Sequence, residues 1–432
     1  MSDTKIGAGG VLGSLDDLVP DLIECYVDLH RHPELSTQEH RTAGVVADRL
    51  ARSGYEVTSG VGGTGVVGAL RNGDGPIVAL RADMDALPVR EQTGLPYASE
   101  VVAKDPEGRD VPVMHACGHD AHTTCLVGAA ELLARGRDAW QGTLLWFAQP
   151  AEETIAGARM MLRDGLYDRF GTPDVVLGQH VGPFPAGMVF HRPGPMMAAT
   201  QSLDVTIVGR GGHGSRPETT VDPVVVGAYI VTRLQTIVSR EIEPLQPAVV
   251  TVGEFHAGTK ANVIPDQARL AINIRAFDDK VQRRIVSAIE RIVRAEAEAA
   301  RCPEPPEIRL SHGGPVTSND AAVVDRVKAA HLAWFGDKRV MDMPVPAMGS
   351  EDFGLFARAD GNPDSPRTVP TGFWFWGGAP AEQIAAAEGE TILEKIGSLP
   401  SNHHPGFMVD PEPTLRAGVE ALTVAALAYL GA

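Results

Sequence analysis

Cys117 and His119 stand one residue apart in the stretch Met114-His115-Ala116-Cys117-Gly118-His119-Asp120-Ala121-His122, which holds a thiol, three imidazoles and a carboxylate. Further along, an acidic pair, Glu152-Glu153, follows Gln149-Pro150-Ala151. Soft and borderline donors beside a spare carboxylate suit a hydrolytic metal centre, because a metal ion lowers the pKa of bound water and a free carboxylate can take the proton. Cys117 and His119 reach one metal pair only if the backbone between them is irregular or extended, and Gly118 permits that. Alone, the two would be read as a buried cysteine beside an ordinary histidine. The histidine density and the downstream acids favour metal. At a strand end neighbouring side chains point different ways, so one glutamate can bind metal while the other faces a substrate. The plain alternative is a solvated acidic helix start, stabilised by the macrodipole.

Other candidates are weaker taken singly. His180 ends the apolar run Val175-Val176-Leu177-Gly178-Gln179, where a histidine is more often structural. His403 and His404 lie in the polar loop Ser401-Asn402-His403-His404-Pro405 and become candidates because the site is still short of ligands. His213 sits between glycines in Gly209-Arg210-Gly211-Gly212-His213-Gly214-Ser215-Arg216-Pro217, which suggests a close approach or a sharply turned exposed loop. No Lys-Ser/Thr follows, so a phosphate loop is not supported. Asn262 and Arg275 bracket a strand pair. A strand arginine can clamp a carboxylate bidentately, although most are solvated.

The elements that must position these residues alternate at first between helix and strand. Leu18 to His30 reads as an amphipathic helix, and Ser36-Thr37-Gln38-Glu39 as a capping box opening a second helix to about Ser53. Short apolar runs at Val66 to Leu70, Ile77 to Arg81, Gly142 to Ala148 and Asp174 to His180 read as buried strands, with helices predicted over His122 to Ala134 and Glu153 to Leu166. This alternation predicts an α/β fold: a mostly parallel sheet with helices on both faces, whose ligands gather at the carboxyl ends of the strands. Asp83, Asp85, Glu152, Glu153 and His180 fall at such ends. The pattern then changes. Strands at Gln201 to Gly209, Ala248 to Phe255 and Gln267 to Ala276, with helices at Pro223 to Arg240 and Asp279 to Arg301, predict an inserted α+β module with an antiparallel sheet. A final helix is expected from about Pro413 to Leu430. The chain is thus divided into 1–198, 199–312 and 313–432.

With 432 residues, two domains are expected. A net charge of −17 argues against sequence-independent nucleic-acid binding, which needs a basic face. Four scattered cysteines make no disulfide framework. No membrane-spanning stretch and no secretory signal are visible, so a cytoplasmic protein is expected.

Taken together, the segments resemble the M20 metallopeptidase family, in its amidohydrolase branch of hippurate hydrolases, N-acyl-amino-acid amidohydrolases and auxin-conjugate hydrolases. The matching segments are Asp28 to Leu35, Leu80 to Pro88, His115 to His122, Gln149 to Glu153, Gly211-Gly212-His213, Asn262-Val263-Ile264-Pro265, Gly349-Ser350-Glu351-Asp352-Phe353 and His403-His404-Pro405. The resemblance implies a zinc-peptidase-like α/β domain with an inserted lid that also dimerises. It implies two divalent metal ions, zinc, manganese, nickel or cobalt, bridged by Cys117. His119 and His180 would complete one site, Glu153 and His403 the other, leaving His115 and His122 outside the ligand set. Glu152 would be the general base for a water activated by the two metals, and His213 of a partner's lid would stabilise the oxyanion. Asp85 would orient a ligand, and Asn262 and Arg275 would hold the substrate carboxylate.

The implied activity is cleavage of the amide bond of N-acyl amino acids by a homodimer, with a tetramer as the alternative. Rival readings are a dipeptidase or aminoacyl hydrolase of the same family, a cysteine hydrolase with Cys117 as nucleophile, and a non-catalytic metal-binding protein on the same fold. The chain departs from the branch in three places. Thr154-Ile155-Ala156 stands where glycines are common, Glu218 follows Pro217 where a histidine is common near by, and the proline-rich loop from Asp360 to Thr371 is longer than usual.

Overall fold

The computed structural model describes residues 3–362 and 364–431, so the loop 360–371 falls partly outside the described residues. The chain forms two compact units, one of Met1–Met196, Ser318–Val345 and Asp352–Ala432, the other of Met197–Thr317 and Pro346–Glu351.

The first unit is built on an eight-stranded sheet in the order Glu56–Val61, Gly65–Asn72, Gly142–Gln149, Ile77–Asp83, Val175–Pro185, Thr371–Ala379, Val189–His191 and Val340–Asp342. The four central strands, from Gly142–Gln149 to Thr371–Ala379, are parallel, and the two on the Gly142 side add antiparallel pairs. The central strands are almost continuously buried, as expected of strands covered on both faces. Val78, Leu80 and Ala82 share a core with apolar residues of the helices Leu15–Arg31, His119–Arg135 and Pro411–Leu430. From the alternate positions, Phe147 stacks with Tyr167 and Phe356.

Three expectations need correction here. The strand read as ending at His180 runs on to Pro185. Its pairing with Ile77–Asp83 stops at Arg81–Gly178, but its pairing with Thr371–Ala379 continues past Phe375–His180, so His180 lies inside a strand that has lost one neighbour. The helix expected from Glu153 begins only at Gly157 and breaks into Gly157–Arg163 and Leu166–Phe170. Ahead of it, Ala151 and Ile155 take left-handed backbone conformations, φ 49° and 54°. At residue 157 a Cβ would lie 1.6 Å from the Pro150 carbonyl oxygen, so this sharp return requires glycine. The capping box does not form either. The helix His40–Arg52 has no side-chain cap, and Ser36 and Glu39 bond elsewhere.

The second unit is a four-stranded antiparallel sheet, Ala248–Ala257, Gln267–Ala276, Ala199–Val208 and Glu307–Gly314. The helices Pro223–Thr236 and Asp279–Ala299 bury Val226, Ile230, Leu234, Ile285, Ile289 and Ile292 against Leu203, Val205, Leu270, Ile272 and Ile274. Asp222 and Asp278 cap these helices through their side chains. Strand Glu307–Gly314 was not anticipated, since most of its residues are exposed and carry no apolar run.

Candidate metal centre

In the first unit the candidate residues collect beyond the carboxyl ends of the parallel strands. Cys117 ends a loop, and Gly118, at φ 80°, turns the chain into the helix His119–Arg135. A Cβ at 118 would stand 2.4 Å from Cγ1 of Val181, so glycine serves both the turn and the close packing. His119 opens the helix, Glu152 and Glu153 occupy the irregular turn after strand Gly142–Gln149, and His403 sits in a loop at φ 72°.

The ligand-type atoms of Cys117, His119 and His180 lie within 4.8 Å of one another, as do those of Cys117, Glu153 and His403 and those of His119, Glu152 and Glu153. Cys117 thus belongs to two groups. Its Sγ is 3.4 Å from His180 Nε2, while His403 Nε2 is 3.2 Å from Glu153 Oε2. Sulfur and nitrogen ligands on one tetrahedral ion stand about 3.6 Å apart, so these spacings match shared coordination.

The donors are oriented by neighbours. His119 Nδ1–H is directed at the Asp85 backbone oxygen (2.9 Å) and Oδ1 (3.2 Å), leaving Nε2 turned to the cluster without a hydrogen-bond partner. Oε1 of Glu153 is buried and equally unpartnered. His119 Nε2 lies 3.7 Å from Asp83 Oδ2, 3.9 Å from Glu152 Oε2 and 3.8 Å from Glu153 Oε1. Two orphaned buried atoms facing one cluster of sulfur, nitrogen and oxygen donors fit a cation, since buried polar atoms are otherwise satisfied.

The electrostatics agree. Burial pulls His119 down, but Asp83, Asp85 and Glu153 more than offset it and push the ring up to about 10. Burial, together with Glu153, Glu152 and Asp83, holds the Cys117 thiol well above its ordinary range. Burial, with His122 beside it, keeps His180 well below the usual imidazole range and so neutral, the form that binds metal. Carboxylate excess at a buried site calls for positive charge from elsewhere.

Several supporting contacts carry no signal in the sequence. Asp85 Oδ2 accepts the Ser36 hydroxyl (2.6 Å) and the Glu153 backbone N–H (3.0 Å). Glu39 accepts the Ala151 N–H (2.8 Å), the Thr64 hydroxyl (2.5 Å) and the Thr37 N–H (2.8 Å). The residues read as a helix cap therefore hold the glutamate turn. Arg81, fully buried, donates to Asp83 Oδ2 (2.7 Å) and Gln149 Oε1 (2.8 Å), and Gln149 in turn donates to Asp352, which accepts the Ala158 N–H. Asp85 was expected from the family resemblance, and Arg81, Asp83, Gln149 and Asp352 lie in segments that carry it, but their mutual bonds were not anticipated.

The remaining candidates lie in the second unit. His213 is exposed, and its Nδ1 accepts the Ser215 N–H (3.1 Å) and hydroxyl (2.7 Å), which places the proton of the neutral ring on Nε2. Asn262 is exposed, and its carbonyl accepts the Gly214 N–H. Arg275 Nη1 donates to the Met348 carbonyl (2.7 Å) and Ser350 Oγ (3.3 Å).

Comparison with known proteins matches residues 79–396 to the sequence model of peptidase family M20/M25/M40. The chain is 39% identical over 351 residues to a hippurate hydrolase of Campylobacter jejuni, covering 79% of this chain and 88% of that protein. It is 40% identical over 288 residues to an N-acyl-L-amino acid amidohydrolase of Geobacillus stearothermophilus, covering 66% and 75%. Among solved structures, a dinuclear metal-binding peptidase of the M20 family from Bacillus subtilis superposes with a TM-score of 0.72 at 28% identity, covering 96% of this chain and all of that one.

Proposed function

The chain belongs to peptidase family M20/M25/M40 and is a metal-dependent hydrolase of linear amide bonds, and from that premise we propose that it cleaves N-acyl amino acids with two divalent ions and Glu152 as general base. The observation that carries this reading is the double membership of Cys117, with Glu152 beside both of its ligand groups and required by neither. Two relatives named for N-acyl amino acid hydrolysis support the substrate class.

Ions held by Cys117, His119 and His180 on one side and by Cys117, Glu153 and His403 on the other would supply Lewis acidity at the amide carbonyl and ease deprotonation of the attacking water. Zinc, manganese, nickel and cobalt all suit such a mixed donor set. Glu152, buried at 4% exposure, takes the proton of the attacking water as its oxygen bonds to the carbonyl carbon. The same carboxyl returns the proton to the amine nitrogen as the C–N bond breaks. No covalent intermediate with the enzyme is needed, and a Cys117 sulfur engaged by both ions would not be free to act as a nucleophile.

His213 would present its Nε2–H to the developing oxyanion from the lid of a second copy. Asn262 and the N–H groups of Arg275 not engaged by Met348 and Ser350 would hold the substrate carboxylate. The second unit supports a homodimer: its long edge strand Ala248–Ala257 and the helix beside it expose Val225, Tyr229, Val249 and Phe255.

The deciding experiment compares wild type with Glu152→Gln on hippurate, N-acetyl and indole-acetyl amino acids and simple dipeptides, each metal restored in turn. Glu152→Gln should keep its metal and lose turnover by about 10²–10⁴-fold, the usual share of a general base. Wild-type rates in that variant would overturn the mechanism, and a preference for dipeptides would replace the substrate class.

A further inference from the structure

We propose that His122 and Asn402 are positioning residues that fix the imidazole of His180 by holding the backbone N–H and the backbone carbonyl of Val181. This inference rests on the two-ion reading of the site. His180 Nδ1 donates to the carbonyl of the very next residue, Val181 (2.7 Å). That bond alone does not aim the ring, because ring and carbonyl can swing together with the backbone. An outside hold on the peptide is needed.

The sheet supplies it on one side only, where the pairing with Thr371–Ala379 runs on through Trp376–Val181. The ladder to Ile77–Asp83 ends at Arg81–Gly178, so Val181 lies past the last residue with a partner on that side. Two side chains take over the exposed backbone groups. The Val181 N–H donates to His122 Nε2 (3.0 Å), and Asn402 Nδ2 donates to the Val181 carbonyl (3.2 Å). Because His122 Nε2 accepts an amide hydrogen, the proton of that ring resides on Nδ1, which donates to Asp83 Oδ1 (2.5 Å). Asp83 is held in turn by Arg81 (2.7 Å). The tautomer and tilt of His122 are therefore settled by a buried ion pair rather than by solvent.

Asn402 reaches the same cluster from the other direction. Its Nδ2 also donates to the Cys117 carbonyl (3.2 Å) and lies 3.8 Å from Cys117 Sγ, so one amide ties the cysteine loop to the His180 strand. Val181 itself is fully buried, and its side chain packs on Gly118 between Cys117 and His119. Every group that could let His180 drift is engaged. Outer partners of this kind set the orientation of a metal-binding histidine.

The test titrates cobalt(II) into metal-free wild type, His122→Leu, His122→Gln and Asn402→Ala. Absorbance reports each equivalent, and thermal melts of the metal-free chains report folding. His122→Leu removes both ring bonds at similar bulk, whereas His122→Gln restores an acceptor for the Val181 N–H. The expected result is a loss of about 10–100-fold in affinity for one equivalent only in His122→Leu and Asn402→Ala, with recovery in His122→Gln and an unchanged melt in Asn402→Ala. Should His122→Leu fail to fold, Asn402→Ala decides the matter. Wild-type affinity for both equivalents in a folded Asn402→Ala, or in a folded His122→Leu, would overturn the proposal. A wild-type stoichiometry of one would instead overturn the two-ion reading, and the single equivalent would then carry the same test.

Discussion

The two sides of Cys117 are built differently. His119 and His180 are 0% and 5% exposed, one opening a 17-residue helix and the other inside an 11-residue strand. Glu153 and His403 come from loops, with left-handed residues at Ala151, Ile155 and His403 itself, and the His403 side chain is 56% exposed. On the first side, regular elements and second partners fix each ring. On the second, a backbone bond from His403 to the Ala116 carbonyl (2.7 Å) and one from Glu153 to Asp85 do the holding. If two ions share the thiol as proposed, a rigid side and a looser side predict that they differ in how readily they leave.

The harshest way to break this contrast is Gly118→Ala. Its Cβ collides with Val181 at a left-handed position, so both sides should suffer. Overpacking of this kind costs about 1–3 kcal/mol, and with added backbone strain the variant should melt several degrees lower and retain little metal. Full metal content and an unchanged melt in this variant would show that the close packing is not needed.

A gentler cut separates the sides. His403→Ala should lose one metal equivalent and nearly all turnover, yet leave the metal-free melt within about 0.5 kcal/mol of wild type, because an exposed side chain contributes little to folding. Metal analysis of the purified variant reads this directly. Loss of both equivalents together would mean that the looser side supports the rigid one.

The smallest expected effect concerns stability alone. Behind the helix that carries His119, His30 bonds to Asp120 (2.7 Å) and Glu91 (3.1 Å). Burial pulls His30 down, but these two carboxylates prevail and raise it to about 9. A raised folded-state pKa gives stability that is complete below the unfolded value near 6.5 and fades as pH climbs through about 9. The metal-free chain should therefore melt progressively lower across that window, and His30→Gln should flatten that slope. Parallel slopes for wild type and variant would remove the charged histidine from the rigid side's support.

Cys117, His119 and the Glu152-Glu153 pair stand out in the sequence by donor type and spacing, whereas His180 and His403 join the proposed ligand set only through the family resemblance; the parallel strands were legible because buried strands are uniformly apolar. What failed was local signal overruled by distant partners. Ser36 and Glu39 have the spacing of a helix cap but spend their oxygens on Asp85, Thr64 and Ala151. The acids at 152 and 153 suggest a helix start, yet the turn is bent by contacts of Ala151 with Glu39 and of Gly157 with Pro150. His122 looked like a spare histidine because its two partners, Asp83 and the Val181 backbone, are far away in sequence. Ile155 is instructive in another way: it stands at φ 54°, a conformation that favours glycine, in the stretch where the family resemblance led glycines to be expected.

Glu39 has a temporal meaning as well. Its bond to Ala151 joins positions 112 residues apart, and the loop it closes contains four of the eight strands of the large sheet. Contacts of such long sequence separation form late in folding, after nearer pairings have shortened the effective loop. A full-length but half-folded chain would thus own every donor atom of the site while lacking the turn that aims Glu152. Competence to hydrolyse would then arrive late in folding.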